Sequence, residues 1–195
     1  MEFDKKGILA RDITVQSIQR NLRSMITSEL PGYGANGRYL SELGVKTMRD
    51  GSISLSKDDF NKAFEKEPIL FDVIVNSMAT SDNALVSASQ TSSVLIPKAG
   101  SYNFVSNNDG TATLGGVSLS ASTLADGTKQ YISTTGDTRG LKLTVSGDVS
   151  SATVYYGRSL ADRLVSFIED MVSATGDLEK SKSNASSLIS EYNED

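Results

Sequence analysis

The spacing of apolar residues changes period twice along this 195-residue chain, and each change dictates a different kind of element. Apolar side chains every three or four residues line one face of a helix, whereas alternation at every second residue lines one face of a strand. Helical spacing holds first, alternation takes over from about 92 to about 156, and a seven-residue repeat follows. The fold class this predicts is α+β: a discontinuous helical domain, an inserted antiparallel β module and a long C-terminal helix. The corresponding segments are 7–91, 92–156 and 157–195, the last returning to the helical domain and leading toward a coiled-coil terminus.

In the first segment Val15, Ile18, Leu22, Met25 and Ile26 recur at helical spacing, with Asp12 or Thr14 available as N-cap and Pro31-Gly32 ending the pattern. A helix over about 13–29 is expected, with those five residues as its packing face. Ser56-Lys57-Asp58-Asp59 supplies an N-cap and first-turn carboxylates, which the positive end of the helix dipole favours. With Phe60, Ala63 and Phe64 on one face, it predicts a second helix over 57–66. Pro68 suits the first position of a third, whose stripe of Ile69, Leu70, Val73, Ile74 and Met78 carries it to about Ala79.

The second segment is rich in Ser, Thr and Gly and poor in charge. Its strands are expected at Ser93–Ile96, Tyr102–Val105, Leu141–Val145 and Ala152–Tyr156. Asn107-Asn108-Asp109-Gly110 and Ser146-Gly147-Asp148 carry residues that tolerate tight turns, so these strands should pair locally and antiparallel. The same composition also suits a flexible linker. Alternation of Tyr102, Phe104, Leu143, Val145, Val154 and Tyr156 favours a folded module with something to bury.

In the third segment Leu164, Met171, Leu178, Ala185 and Tyr192 are spaced by seven, with Leu160, Phe167, Ala174, Ser181 and Leu188 as the companion series. Such a repeat makes a coiled-coil-type seam. Leu160, Leu164, Phe167, Met171, Leu178, Leu188 and Tyr192 are its expected packing or interface residues. Gly176 weakens a helix by about 1 kcal/mol relative to Ala and should mark a bend or a change of partner. Leu160 to Val172 suits packing on the first helices; beyond Gly176 the seam turns sparse and Ser-rich, which fits a helix whose partner is another chain or segment.

Composition narrows the chemistry. The chain has no Cys, His or Trp, which removes disulfides, thiolate and imidazole catalysis and the usual zinc ligands. No cofactor, metal or catalytic residue is expected. A net charge of -5 with scattered basic residues argues against nucleic acid as partner. No apolar run approaches the roughly 18 residues of a membrane span, and Ile69 to Val75 is interrupted by Asp72. Met1 to Gly7 is charged and no apolar stretch follows, so no cleavable signal peptide is expected.

Four motifs imitate active sites. Gly32-Tyr33-Gly34-Ala35-Asn36-Gly37 matches G-x-G-x-x-G, but a helix precedes it where a dinucleotide site needs a strand. Asp50-Gly51 looks like the middle of an EF-hand loop, yet the first and last ligand positions fall on Lys46 and Lys57. Ser54-Leu55-Ser56-Lys57 and Ser81-Asp82-Asn83 imitate two signatures of penicillin-recognising enzymes, whose K-T-G is absent. Asp58-Asp59 and Glu169-Asp170 are adjacent in sequence, so on a helix their side chains diverge by about 100 degrees and cannot act as a glycosidase pair.

At Gly7-Ile8-Leu9-Ala10-Arg11-Asp12, Val15 to Ile26, Leu40-Ser41-Glu42-Leu43-Gly44-Val45 and Arg49-Asp50-Gly51-Ser52-Ile53-Ser54-Leu55, the sequence resembles the flagellar filament cap family, hook-associated protein 2, in its C-terminal half. Gly140 to Gly147, Gly157-Arg158-Ser159-Leu160-Ala161-Asp162-Arg163-Leu164 and Gly176-Asp177-Leu178 are similar to it as well. The family often has an acidic or small residue where Arg11 stands, and Asp or Glu in place of Ser56. The resemblance implies a non-enzymatic structural protein that caps the filament tip and promotes flagellin polymerisation. It further implies a pentamer-like homo-oligomeric ring in the full-length protein, with flagellin and hook-filament junction proteins as partners. The implied location is extracellular, on the flagellum, after export by the flagellar secretion apparatus. Another axial protein, such as a junction protein or flagellin, or an adhesive surface-binding module, stays as the alternative.

Overall fold

A computed structural model describes residues 13–107, 109–173, 176, 179–180, 182–184, 186–187 and 190. The chain divides into two compact units, one over 29–160 and one from the described parts of 1–28 and 161–195.

The larger unit opens with a loop closed by paired backbone hydrogen bonds between Leu30 and Arg38, at 2.7 and 3.0 Å. A 3-10 turn at Leu40–Leu43 buries both of its leucines and ends on Gly44 in the left-handed region at φ 80°. Strands β1 (Val45–Thr47) and β2 (Ile53–Leu55) form a hairpin, and helix α2 (Lys57–Lys66) follows. Gly44 has a second reason to lack a side chain. A Cβ there would stand 2.8 Å from the Ser56 carbonyl oxygen and 3.0 Å from Asp59 Cβ, so the start of α2 lies directly on it.

The expected third helix is cut short. Pro68–Phe71 forms a 3-10 turn and α3 spans only Asp72–Val75. Met78 and Ala79 stand instead in strand β3 (Met78–Ser81), opposite Gly157 and Tyr156 of β11 (Ser151–Gly157). Ladder hydrogen bonds with a distant strand outweigh helical propensity there, and the Asn76 amide closes α3 by donating to Asp72 Oδ1 at 2.6 Å.

Nine strands then build two antiparallel sheets. β3 is followed by β4 (Val86–Gln90), β5 (Gly100–Ser106), β6 (Ala112–Leu114), β7 (Val117–Ser118), β8 (Ser120–Thr123), β9 (Lys129–Ile132), β10 (Leu141–Val145) and β11. One sheet runs β4-β10-β9-β8, the other β3-β11-β5-β6-β7. The chain crosses between sheets four times: from β3 to β4, from β4 to β5, from β7 through Leu119 alone to β8, and from β10 to β11. Apart from the β1–β2 hairpin, strand structure thus begins at Met78, ahead of the expected 92. Its alternation is plain in β10, where Leu141, Leu143 and Val145 are buried while Lys142 and Thr144 are partly exposed. Side chains from both sheets share one core, with Phe104 of β5 and Tyr131 of β9 as a tilted ring pair 5.4 Å apart.

Two expectations about the strands fail. Ser93–Ile96 is a loop. It precedes Pro97, which cannot donate to a ladder, and the Gln90 side-chain amide substitutes for one by donating to the carbonyls of Ser92 at 2.6 Å and Leu95 at 3.2 Å. Ser146-Gly147-Asp148 is no hairpin turn: β10 pairs with β4 and β9 while β11 pairs with β3 and β5, so that segment carries the chain from one sheet to the other. The Asn107 to Thr111 turn does join paired neighbours, β5 and β6.

The smaller unit contains α1 (Ile13–Thr27) and α4 (Leu160–Val172), apart from Leu160 itself. The expected long C-terminal helix is not shown: α4 spans 13 residues, Leu160–Val172, and Leu178, Leu188 and Tyr192, like Asp12 at the other end, lie outside the described residues.

Phe104 is fully buried and Val105, its neighbour on the same strand, is 41% exposed. Phe104→Ala should therefore cost about 3–5 kcal/mol by loss of burial and cavity formation. Val105→Ala should cost less than about 1 kcal/mol. Urea unfolding of both variants checks the difference.

Candidate functional site

The sequence places its candidate interface on two helices. In α1, Val15, Ile18, Leu22, Met25 and Ile26 are half-buried, while Gln16, Gln19, Arg20, Arg23 and Ser24 are exposed. In α4, Leu160, Leu164, Phe167 and Met171 are half-buried, and Asp162, Glu169 and Asp170 are exposed. Neither helix has a single buried residue.

Sequence reasoning missed a second stripe on α4. Val165, Ile168 and Val172 are 53, 51 and 62% exposed. With Ala161 they repeat the four-three-four spacing of Leu160, Leu164, Phe167 and Met171, displaced by one residue. Two such series side by side give the helix an apolar face wider than a two-stranded seam requires. The signal was present in the sequence as a parallel series of the same period.

Helix α4 ends close to where Gly176 led us to expect a change. A Cβ on Gly176 would lie 2.3 Å from the carbonyl oxygens of both Asp170 and Met171. The Gly176 amide donates to the Ser173 carbonyl at 2.8 Å, so the chain turns back against the last turn of the helix at a point only glycine can occupy.

The glycine-rich, EF-hand-like and serine motifs that imitate active sites are taken up by loops, turns and a helix cap. Gly32 lies against β11: a Cβ there would meet the Tyr156 carbonyl oxygen at 1.8 Å. Gly32 is therefore packed against β11, and the loop from it to Gly37 is not a strand delivered to a helix. Asp50-Gly51 turns the β1–β2 hairpin, Asp50 Oδ1 accepting from the Ser52 amide at 2.8 Å. Ser56 caps α2 by accepting from the Asp59 amide at 3.3 Å. Asp82 accepts from the Thr153 amide at 2.8 Å, and Asn83 holds the β3–β4 turn through the Leu85 amide. The Ser52 side chain, with its amide second, holds the Asp50 carboxyl below the usual range, and the Thr153 amide does so first for Asp82.

Asp59 is held low for another reason. Lys46 Nζ donates to its Oδ2 at 2.6 Å, with the Ser56 hydrogen bond second in effect. Among the described residues, no three of His, Cys, Asp and Glu gather into a group able to hold a metal ion. No described helix is long and apolar enough to cross a membrane.

Two apolar-faced helices and an antiparallel sandwich make up an α+β protein. The family model of the flagellar hook-associated protein 2 C-terminus matches residues 1–195, and the chain belongs to that family. It is thereby a member of a structural family of the bacterial flagellum. No curated protein and no solved structure matches the chain.

The Asp59–Lys46 pair has a definite acid signature. A carboxyl held low in the fold contributes stability above its unfolded value and loses it as pH falls through the folded one. Lys46→Ala should raise the Asp59 value toward the ordinary carboxylate range, with part of the depression kept by Ser56. An NMR titration of the Asp59 carboxyl in both proteins checks this.

Proposed function

We propose that this chain belongs to the filament cap: it sits at the growing tip and promotes the polymerisation of flagellin, acting through interfaces without covalent chemistry. The family match over residues 1–195 is the observation that carries the reading. The helices add physical support. An apolar face costs free energy while it faces water and returns it on association, at about 25 cal/mol per Å² covered. On α4, Leu164, Phe167 and Met171 are half-covered and Val165, Ile168 and Val172 more open still.

In this reading those residues, with Leu160 and the α1 face of Val15, Ile18, Leu22, Met25 and Ile26, are the assembly seam. Leu178, Leu188 and Tyr192 extend it. The chain works in a homo-oligomeric ring, meets flagellin and hook-filament junction proteins, and acts outside the cell after export by the flagellar apparatus. The residues ahead of β3 then serve as helical core, 78–157 as outward β insertion and the chain beyond it as returning helix.

A second reading, as an adhesive surface-binding module, draws on an open cleft of about 620 Å³ on the five-stranded sheet. Asp82, Asn83, Asn103, Ser151 and Thr153 make it polar. Binding on a glycan array that is lost in Asn103→Ala would favour that reading.

The cap reading is tested in the bacterium that carries the gene, with the full-length protein bearing Val165→Glu and Ile168→Glu. Both positions are exposed, so the purified variant should keep its thermal transition within a few degrees, as surface changes commonly do. Motility should be lost and flagellin should collect unassembled in the medium. Full motility with filaments of normal length would remove these residues from the seam and leave the proposal without its helical interface.

A further inference from the structure

The motif that failed as a nucleotide fingerprint contains Asn36-Gly37, and this pair has chemistry of its own. An asparagine carboxamide is open to attack by the backbone nitrogen of the following residue, and a following glycine offers that nitrogen without the obstruction of a side chain. We propose that Asn36 is a modification site, the asparagine at which the folded protein deamidates on its own, with water as the co-reactant.

The bond changes are these. The Gly37 amide gives up its proton to solvent and its nitrogen bonds to Asn36 Cγ. The Cγ–Nδ2 bond breaks, ammonia leaves, and a five-membered succinimide remains. Water then opens the ring at either carbonyl, giving aspartate or isoaspartate.

Three observations select this residue. Asn36 is exposed in the loop closed by Leu30 and Arg38. Among the described residues its side chain makes no hydrogen bond and the Gly37 amide donates none, so both reacting groups are available. The other described asparagines are engaged. Asn21, Asn61 and Asn184 are helical and Asn103 lies within β5. Asn76 donates to Asp72, Asn83 accepts from the Leu85 amide, and Asn107 donates to Thr111 Oγ1. None of these seven precedes a glycine.

The related Asp-Gly pairs are held as well. Asp50, Asp109 and Asp126 each fix their carboxylate by accepting from the amide two residues on, at 2.8, 2.9 and 2.9 Å. At the alkaline pH of the test their carboxyls are ionised, the form that cannot lose water to cyclise, and side-chain bonds from Ser52 and Thr111 and the Thr128 amide lower them further.

Deamidation would matter locally because of what the loop carries. Gly37 lies against the Glu29 carboxylate, to which the Tyr39 hydroxyl donates at 3.3 Å, and the neighbouring Arg38 pairs with Glu42 and Glu67 at 3.3 and 2.5 Å. A new carboxylate joins this anionic side. In the isoaspartate form an extra backbone carbon lengthens the loop inside its Leu30–Arg38 closure.

The test holds the folded chain at mildly alkaline pH and follows it by peptide mapping with isoaspartate detection. A short peptide of residues 33–38 serves as the reference. The expected result is loss of the Asn36 amide at a rate comparable to the peptide, while Asp50, Asp109 and Asp126 persist unaltered. Asn36→Gln should suppress the acidic charge variant that otherwise accumulates. An intact Asn36 after the peptide has converted would overturn the proposal, as would equal conversion at the Asp-Gly pairs or an acidic variant that persists in Asn36→Gln.

Discussion

Strand β11 is the constraint on which the larger unit depends, and Tyr156 is where its roles meet. Its ring is buried in the shared core of the two sheets. Its hydroxyl donates to Gln90 Oε1 at 2.9 Å, which turns the Gln90 amide toward the Ser92 and Leu95 carbonyls and so fixes the 91–96 loop. Its backbone carbonyl borders Gly32 so closely that no side chain fits between them. One residue beyond, Gly157 lies beneath the Tyr33 ring, whose hydroxyl reaches the Asn76 carbonyl at 3.0 Å. A buried hydroxyl left without a partner would be costly, so Gln90 is as much a part of this arrangement as the tyrosine.

The two units spend their apolar residues differently. In the sandwich the largest side chains, Tyr131, Tyr156 and Phe104, are fully enclosed. In α1 and α4 none is. Local stability follows such coverage, and elements with few enclosed contacts open at lower free energy than a closed core. A member of a flagellar structural family therefore combines a sandwich that carries its own stability with helices whose apolar faces have more to gain from association.

Much of this architecture was legible in the sequence, and the exceptions share a cause. Helix α2 matches its expected limits because Ser56, Asp58 and Asp59 encode its start locally. Strands β5, β10 and β11 contain the expected segments because alternating Tyr102, Phe104, Leu141, Leu143, Val145, Val154 and Tyr156 can serve only a pleated surface with a buried face. What escaped was decided by distant partners. Met78 and Ala79 continue a helical stripe in sequence, yet their hydrogen bonds go to β11. Strands β7 and β8 are short and rich in Ser, and β9 offers only four residues with two polar ones at its start, too few to show an alternation, although its Tyr131 is among the most enclosed residues. The half-buried series on α4 follows the spacing read from the sequence, whereas the second, more exposed series lay one residue away in the same pattern.

The Ser159 amide donates to Ser77 Oγ at 2.9 Å, just outside the Met78–Gly157 pair that closes the β3–β11 ladder. The chain therefore enters and leaves the strand-rich portion at one point, and everything from 78 to 157 hangs from a single doorway. An insertion whose ends meet in this way asks little of the scaffold that carries it. Such a portion can be enlarged, exchanged or trimmed through this junction while the flanking helices keep their register. That gives a member of this family a way to vary the strand-rich portion without changing the sequence on either side of it.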